Sequence, residues 1–338
     1  MISKIILPEN VNKVERLLDK YDNIVIVTHT SPDGDAIGSS LGLYHLLMDI
    51  DKDVRVVVNN QIPANLMWMK GAKDIIINQD TPDYAAEVIA GAELIFCLDF
   101  NTPRRMGEQV ESYVMESSAK RVLVDHHPFP QHFTDVVISH PEISSTSELI
   151  FRLICRMEYY DQISFEGAEA LYTGMMTDTG NFSYNSNNSE IYYIIAELLR
   201  KEIDKDLIYS RVNGSHREER IRLLGYVLCE KMKTYKSHSA SLITLTYDEM
   251  ARFDHRPGET DGFVNIPLDI EGITFSAFFR EENNRIKVSL RSKGDLDVNV
   301  ICREYFNGGG HRNAAGGELF CSMDEAITLF EKVIASLR

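Results

Sequence analysis

The sequence predicts an α/β protein whose first domain is a parallel sheet with helices on both faces, followed by a smaller α+β domain across a cleft. The length of 338 residues is greater than one typical core supports, which favours two domains. Over the first two hundred residues, short apolar runs alternate with stretches of helical spacing. Strands that are apolar on both faces and separated by helices are typical of a buried parallel sheet.

The first domain, assigned to 1–203, begins with a strand that leads directly into a helix at 36–50. A charged helical linker at 204–236 follows it and leads to the second domain at 237–338. The predicted strands of the first domain are β-branched, apolar and short, and they lie at 23–29, 53–60, 92–101 and 121–127.

The second domain has a different pattern. A strand is predicted at 239–248 and a hairpin at 273–292, with Asn283 and Asn284 as its turn. A mixture of paired strands and helices indicates an α+β domain. The remaining predicted elements are a helix, a glycine-rich loop and a closing helix, at 297–306, 307–317 and 323–338.

Composition restricts the class of partner. The five cysteines are scattered, with no CxxC pair, and no apolar run approaches the ~18 residues that span a bilayer. We therefore expect a reduced, cytoplasmic protein with no membrane partner and no export signal. The net charge of −16 argues against binding long duplex nucleic acid, which needs many Lys and Arg contacts. It allows a short phosphorylated substrate in a local basic pocket, and it leaves the oligomeric state open, a homodimer included.

Acidic and histidine side chains follow the ends of the predicted strands and of one later helix. Because the carboxyl ends of parallel strands lie at one edge of a sheet, we expect these groups to meet. The four segments carry His29, Asp33 and Asp35; Asp99; Asp125, His126 and His127; and Asp178.

Each segment alone has a simpler interpretation, since an Asp after a strand commonly caps the next helix and a single His commonly satisfies a hydrogen bond. Jointly, the four segments are harder to explain without cations. Crowded aspartates repel one another, and no Lys or Arg lies within the four segments. Two divalent ions would balance the carboxylates, and mixed Asp and His ligands suit Mn²⁺ or Mg²⁺, with Zn²⁺, Co²⁺ and Fe²⁺ as further alternatives.

The adjacent histidines His126 and His127 are expected to have different roles. Successive side chains in an extended segment point to opposite faces, so both cannot easily bind the same ion. One should bind metal, and the other should contact a phosphoryl oxygen or the leaving group. Asp125 lies on the His127 side of this alternation and is interpreted as a support that orients its neighbour, with a helix cap or turn as the alternative.

Six ordered motifs resemble those of one family. HTSPDGDAIGS, CLDFN, VDHHP and TDTGNF are similar to the four motifs of the DHH phosphoesterase superfamily, and SLRSK with NGGGHRNAAGG resembles its DHH-associated domain. The resemblance runs from about Ile24 to Phe320. The two-domain form resembles the small-oligonucleotide phosphodiesterases called nanoRNases, some of which also remove the 3′ phosphate of 3′-phosphoadenosine 5′-phosphate (PAP).

The resemblance implies a dimetal site with Mn²⁺ as the first choice, in which Asp99 bridges the ions. His127 would stay off the metals, beside the substrate, with Asp125 supporting it. A water between the ions would lose a proton and attack phosphorus in line. The implied ligands are His29, Asp33 and Asp99 for one ion and Asp35, Asp99, His126 and Asp178 for the other.

Two further segments lie near these motifs in the sequence. Arg105, after the third strand, could reach a substrate phosphate; the alternative is a solvated loop pair with Arg104. The stretch SSTSELI at 144–150 predicts only a capped helix start, with Glu148 in its first turn and no catalytic role.

Substrate contacts are also predicted in the second domain. Glycines allow close backbone approach to a phosphate or base, and the resemblance implies that His311 contacts the substrate. A guanidinium group suits phosphate, and of Arg280 and Arg291 on the hairpin, the second matches the family pattern more closely. The glycines of this predicted contact are Gly308, Gly309 and Gly310.

The resemblance, together with the clustered ligands, therefore implies a phosphoric ester hydrolase that degrades RNA of about 2–5 nucleotides to 5′-mononucleotides and also acts on PAP. Its expected partners are short single-stranded RNA oligonucleotides and nucleotides. A phosphodiesterase for linear or cyclic signalling dinucleotides is the main alternative. A pyrophosphatase or exopolyphosphatase fits the second domain less well, and a non-catalytic nucleotide-binding protein is disfavoured because every implied ligand is present.

Overall fold

The structure, a computed structural model, describes residues 3–214, 216–282 and 284–337. The chain divides into two compact units, one up to residue 215 and the other from residue 216. Each unit has its own six-stranded sheet, which confirms the predicted fold class of parallel α/β followed by α+β. Within the described ranges, no helix combines the length and the apolar character needed to cross a membrane.

The sheet of the first unit is parallel throughout, with the strand order β3-β2-β1-β4-β5-β6. The four predicted strands are present as β1, β2, β4 and β5. The two edge strands were not predicted, because two and four residues are too few for a periodic signal. The strands are β1 Asn23–Val27, β2 Asp53–Val58, β3 Ile76–Ile77, β4 Leu94–Leu98, β5 Lys120–Asp125 and β6 Val136–Ser139.

Helices cover both faces of this sheet. Alternate residues of β1 enter separate cores, with Ile24 and Ile26 in one and Val25 and Val27 in the other. The second core contains residues of α3 (Pro82–Ala90) and α4 (Glu108–Glu116). The first core contains residues of α1 Pro8–Lys20, α2 Gly34–Asp49, α5 Thr146–Arg156, α6 Phe165–Asp178, α7 Ser189–Leu199 and α8 Lys205–Asn213.

Helices α2 and α6 pack backbone against backbone in antiparallel directions. A Cβ atom at Gly38 would lie 2.6 Å from the carbonyl oxygen of Ala170, and one at Gly34 would overlap the side chain of Thr177. Glycine at these positions permits the close approach. The pairing brings the first turn of α2, which carries Asp35, next to the last turn of α6.

The second unit contains a mixed sheet in the order β11-β12-β10-β9-β8-β7, in which β8 and β9 are parallel and the other pairs antiparallel. The predicted hairpin is β9 with β10, and Asn283 of its predicted turn lies outside the described residues. The elements are α9 Glu218–Tyr226, β7 Met232–Tyr235, β8 Ala240–Leu245, α10 Tyr247–Arg252, β9 Phe275–Glu282, β10 Arg285–Ser292, α11 Val298–Tyr305, β11 Gly309–His311, β12 Ala314–Leu319 and α12 Met323–Ser336.

Two segments differ from the sequence prediction. The predicted glycine-rich loop at 307–317 is largely the hairpin of β11 and β12. A Cβ at Gly308 would lie 2.0 Å from the carbonyl oxygen of Gly316, so glycine there allows close backbone contact rather than a loop. The predicted linker at 204–236 contains α8, α9 and then β7, which pairs with β8 in the second sheet.

Candidate dimetal site

The loops at the carboxyl ends of β1, β4 and β5 bring acidic and histidine side chains together. In the first unit, three groups of ligand atoms lie within 4.8 Å of one another, and Asp99 belongs to all three. Most members are buried, whereas the side chain of Asp33 is 60% exposed; Asp178, which lies next to these groups, has a side chain that is 24% exposed. The groups are His29 with Asp33 and Asp99, Asp35 with Asp99 and His126, and Asp99 with Asp125 and His127.

Asp99 lies at the centre of the site, directly after β4. Its φ of +65° is in the left-handed region, which Asp tolerates better than most residues. Its Oδ2 is 3.3 Å from Nε2 of His29, and its Oδ1 is 3.5 Å from Nε2 of His126. Burial raises the pKa of Asp99, but the surrounding imidazoles outweigh it and hold this pKa below its usual range. The two oxygens of this carboxylate therefore face two different histidines, as a shared ligand would.

The backbone determines which nitrogen of His29 and His126 faces the carboxylates. Nδ1 of His29 is 2.9 Å from the carbonyl oxygen of Thr30, and Nδ1 of His126 is 3.2 Å from that of Ile143. Because a carbonyl oxygen only accepts hydrogen bonds, we assign the proton of each neutral ring to Nδ1. Nε2 of each ring then directs its lone pair at the carboxylates, which is the arrangement of a metal ligand.

Asp35 is held by the N-terminus of α5. Its Oδ2 accepts a hydrogen bond from the backbone N–H of Thr146 at 2.6 Å, and its Oδ1 accepts one from that of Ser147 at 2.9 Å. The Thr146 hydroxyl also donates to Oδ1 of Asp99 at 2.9 Å. The positive end of the helix dipole therefore stabilises negative charge within the site.

The start of α5 is itself anchored by a buried ion pair. The guanidinium of Arg152 donates to Oε1 of Glu148 at 2.7 and 2.9 Å, and the hydroxyl of Ser144 donates to Oε2 at 2.5 Å. Both charged side chains are about as buried as the core. The sequence identified this stretch as a capped helix start, and Ser145 is indeed the cap, accepting from the N–H of Glu148. That this start faces the acidic cluster was missed.

Asp33 and Asp178 complete the set at the surface. Oδ1 of Asp33 accepts from the backbone N–H groups of Asp35 and Ala36, so this residue caps α2 as well as lying 3.8 Å from Nε2 of His29. The alternative interpretation of this Asp as a helix cap is therefore correct. A carboxylate has enough lone pairs to cap a helix and to bind a metal ion as well. Asp178, the last residue of α6, places its Oδ2 3.5 Å from Nε2 of His126.

His127 has different surroundings from His126. Its Nδ1 is 2.8 Å from Oδ1 of Asp125, and the two imidazole rings are inclined at 75° to each other. Burial, with repulsion from Asp99, raises the pKa of Asp125 to about 7. The other oxygen of Asp125 has no hydrogen-bond partner in the described part of the chain. The two histidines therefore have different Nδ1 partners, but both lie beside Asp99, since Nδ1 of His127 is 3.7 Å from its Oδ1. Their placement on opposite faces and their separate chemical roles stay predictions.

The donor set fits two divalent cations. Burial raises the pKa of Asp35 well above its usual range, with repulsion from Asp99 and Asp178 adding to it. Burial lowers the pKa of His126, but the neighbouring carboxylates outweigh this and raise it to about 9. Both shifts show that the cluster needs positive charge. Carboxylate oxygens and neutral imidazole nitrogens are ligands that Mn²⁺ accepts readily and that Mg²⁺ accepts in part.

Arg105 lies beside this cluster. It is half-buried, and its positive charge partly opposes the net rise in the pKa of both His29 and Asp125. Within the described residues its guanidinium has no hydrogen bond or ion pair, whereas Arg104 is exposed. An uncommitted guanidinium at the edge of a metal site is suited to a phosphate oxygen.

The predicted contacts of the second unit have different surroundings. Arg280 is bound to Glu282 and to the hydroxyl of Thr260, so its guanidinium is already paired. Arg291 donates to the carbonyl oxygen of Leu290 at 2.9 Å. The glycines Gly309 and Gly310 and the histidine His311 form the half-buried strand β11, and Gly308 precedes it. Because Arg280 is paired with Glu282, its guanidinium is less suited to a substrate phosphate.

Two family models match this chain. The N-terminal domain of the DHH family matches residues 23–175, and the DHHA1 domain matches residues 241–336. The chain belongs to the DHH family, as its motifs predict.

Several proteins are similar over nearly the whole chain. The bifunctional oligoribonuclease and PAP phosphatase NrnA of Thermus thermophilus is 30% identical, covering 93% of this chain and 89% of that protein. The protein of the same name from Bacillus subtilis is 26% identical, covering 95% of this chain and 96% of its own. A solved structure of an exopolyphosphatase-related protein from Bacteroides fragilis is 51% identical, with a TM-score of 0.95, and covers 99% of this chain and 98% of that chain.

A longer relative carries a different name. The cyclic-di-AMP phosphodiesterase PdeA of Listeria monocytogenes is 27% identical over 96% of this chain, which spans 48% of that protein.

Proposed function

We propose that this chain is a metal-dependent phosphodiesterase that hydrolyses short RNA oligonucleotides to 5′-mononucleotides and also removes the 3′ phosphate of PAP. The enzyme class, a phosphoric ester hydrolase, is confirmed by DHH family membership and by the names of the relatives. The substrates are inferred from the two relatives named for both activities, which match almost end to end. The observation that carries the proposal is Asp99, whose two oxygens face two separate histidines.

Two divalent cations are the proposed cofactors, with Mn²⁺ first and Mg²⁺ or Co²⁺ as alternatives. When bound, they would acidify a water and stabilise negative charge on the phosphoryl oxygens. The ligands proposed are His29, Asp33 and Asp99 for one ion and Asp35, Asp99, His126 and Asp178 for the other.

Three side chains act beside the metals: His127 and Arg105 contact the substrate, and Asp125 supports His127. Asp125 holds the proton on Nδ1 of His127, so Nε2 is the atom that exchanges a proton with the leaving oxygen. Arg105 binds a non-bridging oxygen of the scissile phosphate, because its guanidinium is uncommitted within the described residues. Holding both groups beside the metal site would orient the phosphate before reaction.

The second unit is proposed to bind the nucleotide that is not being cleaved. Arg291 and His311 supply its polar contacts, and the glycines Gly308, Gly309 and Gly310 let the backbone come close to the ligand. Arg280 supports Glu282 instead of the substrate. The acidic surface outside this region, from a net charge of −16, disfavours long strands.

A substrate panel tests the function. With Mn²⁺ present, we expect the highest kcat/KM on PAP and on RNA of two to about five nucleotides. The kcat/KM on 24-mers should be at least about tenfold lower, because the acidic exterior repels long strands. The products should be 5′-mononucleotides, measured by chromatography. Absence of turnover on every RNA oligonucleotide with Mn²⁺, Mg²⁺ and Co²⁺ would contradict the proposal.

A second candidate function is favoured by the longer relative. Hydrolysis of cyclic or linear di-AMP would use the same metal site, and this chain matches about half of a protein named for cyclic-di-AMP. The same panel distinguishes the cyclic form, since a kcat/KM for cyclic di-AMP above that for pApA makes the cyclic signalling molecule the preferred substrate. Because pApA is both linear di-AMP and an RNA dinucleotide, a preference for the linear form requires a kcat/KM for pApA well above those for the other RNA dinucleotides.

A further inference from the structure

One aromatic side chain near the site is almost fully in solvent. Phe129 is 74% exposed, the largest exposed fraction among the large apolar side chains of the described residues. It belongs to none of the apolar cores described for the first unit. Only Pro128 lies between it and His127 in the chain, so the Cα atoms of Phe129 and His127 are within about 7.6 Å of each other. Packing of the core therefore does not explain why a phenylalanine occupies this exposed position, close in the chain to His127 of the candidate dimetal site.

The backbone at Phe129 is strained. Its φ is +61°, a conformation in which a bulky side chain is a genuine outlier, and the next residue is Pro130, which restricts the preceding backbone further. Glycine or asparagine would occupy this position more easily. Strain of this kind persists where the surrounding structure enforces it and is concentrated at binding sites.

The loop that carries this ring is held on both sides by one residue. Asn101 donates from its side chain to the carbonyl oxygen of Pro128 at 2.7 Å, and its own carbonyl oxygen accepts from the N–H of Gln131 at 2.8 Å. Asn101 itself follows Asp99 by two residues. The backbone that carries the exposed ring is therefore tied to the loop with the central carboxylate before a ligand binds.

We propose that Phe129 is a stacking surface for a nucleobase of the substrate. This deepens the proposed function and rests on it. A base attached to a phosphate beside His127 lies within reach of a ring two residues away, and the exposed face of an aromatic ring stacks on every base. Stacking is tolerant of sequence, so this contact provides affinity for nucleotides without selecting a particular base.

Binding measured by calorimetry tests the subsite apart from catalysis. In the presence of Mn²⁺, the wild-type protein should bind adenosine 5′-monophosphate about 5- to 100-fold more tightly than ribose 5-phosphate, which lacks the base. Phe129→Ala should reduce that ratio at least fivefold, whereas Phe129→Trp should preserve it. An unchanged ratio in Phe129→Ala would overturn the proposal.

Phe165→Ala is the matched control. This phenylalanine is also exposed, at 44%, but it begins α6 while Asp178 ends it, about 20 Å away along the helix. It should leave the ratio unchanged; an equal loss in both variants would show a general effect of removing surface aromatics and would also overturn the proposal.

Two further readouts separate this inference from the proposed function. If the wild type hydrolyses no oligonucleotide but Phe129→Ala still lowers the base preference, the function fails and the subsite stands. If dinucleotides are hydrolysed and Phe129→Ala leaves the base preference unchanged, the subsite fails alone.

Phe129→Gly should relieve the backbone strain and raise the Tm of the first unit by about 2–4 °C while losing the base preference. A lower Tm in that variant would contradict the strain on which the argument depends.

Discussion

Two adjacent histidines have different surroundings because their Nδ1 atoms contact different acceptors. Nδ1 of His126 faces the carbonyl oxygen of Ile143, and Nδ1 of His127 faces the carboxylate of Asp125. A neutral carbonyl leaves the first ring as a lone-pair donor through Nε2. A carboxylate stabilises a protonated ring, which suits the second to proton transfer. Single contacts of the backbone and of one aspartate therefore distinguish the two residues.

Replacing each histidine should separate metal binding from turnover. His126→Ala removes one of the proposed ligands, so affinity for Mn²⁺, measured by calorimetry on metal-free protein, should fall at least about tenfold. His127→Ala should bind Mn²⁺ as the wild type does and should lower kcat on a dinucleotide by about 10²–10⁴.

The exposed His132 provides the control for this pair, since His132→Ala should change neither quantity. Equal loss of Mn²⁺ in the two site variants would show that the division of roles between them is wrong.

At the scale of elements, helix ends bring the ligands together. The first turn of α2 and the last turn of α6 meet because glycines let their backbones touch, and a Cβ at Gly174 would lie 2.9 Å from Oδ1 of Asp35. The N-terminus of α5 then directs two N–H groups at the same carboxylate. Charge that burial would disfavour is thus stabilised by a helix dipole as well as by any bound cation.

Closing the gap between α2 and α6 should be costly. In Gly38→Ala the added methyl would lie 2.6 Å from a backbone oxygen and 2.7 Å from a backbone nitrogen, neither of which can rotate away. We expect the free energy of unfolding to fall by about 1–3 kcal/mol, measured by urea denaturation followed by fluorescence.

Gly225→Ala is the matched helical control, because a Cβ there meets nothing within 4 Å. This substitution should be neutral or stabilising by up to about 1 kcal/mol, since alanine favours a helix over glycine. Equal effects of the two substitutions would contradict the close packing of α2 and α6.

At the scale of the whole molecule, the two compact units differ in what they carry. All of the proposed metal ligands lie in the first unit, and the sole tryptophan of the chain, Trp68, lies there too. The second unit contributes only the proposed nucleotide contacts. Metal binding should therefore stabilise one unit directly and leave the other unchanged.

Removal of metal should lower the stability of the first unit alone. At a Mn²⁺ concentration about 100-fold above its Kd, the free energy of unfolding of the first unit should be about 2.7 kcal/mol higher than in EDTA-treated protein. This corresponds to a Tm that is roughly 5–10 °C higher. The fluorescence of Trp68 reports this unit, and calorimetry reports both. Unfolding of the second unit, which calorimetry detects and Trp68 fluorescence does not, should keep the same Tm with and without Mn²⁺.

The control for this shift is Asp99→Asn. Asparagine has the same shape and tolerates the positive φ at this position, so the variant should fold while losing the shared negative charge. The Mn²⁺-dependent rise in Tm should disappear in it. A shift as large as that of the wild type would mean that the ions bind elsewhere.

Much of the site could be predicted because its residues lie at ends of elements with strong local signals. Val122, Leu123 and Val124 mark a buried strand, and the residues after such a strand meet those of its neighbours at one edge. The edge strands and the β11–β12 hairpin were not predicted, because short strands and glycine runs have weak local patterns.

The sequence by itself determined the fold class, the family and the set of charged residues at the strand ends. These features depend on the hydrophobic periodicity and on the order of the motifs, and both can be recognised from residues that are close together in the sequence. Only the tertiary structure decided how Asp35 is held, since its partner Thr146 is 111 residues away. It also decided that Arg280 is paired with Glu282 and that Phe129 stands strained and exposed. Such features arise from the packing of distant segments and the backbone angles it enforces, and no local pattern specifies them.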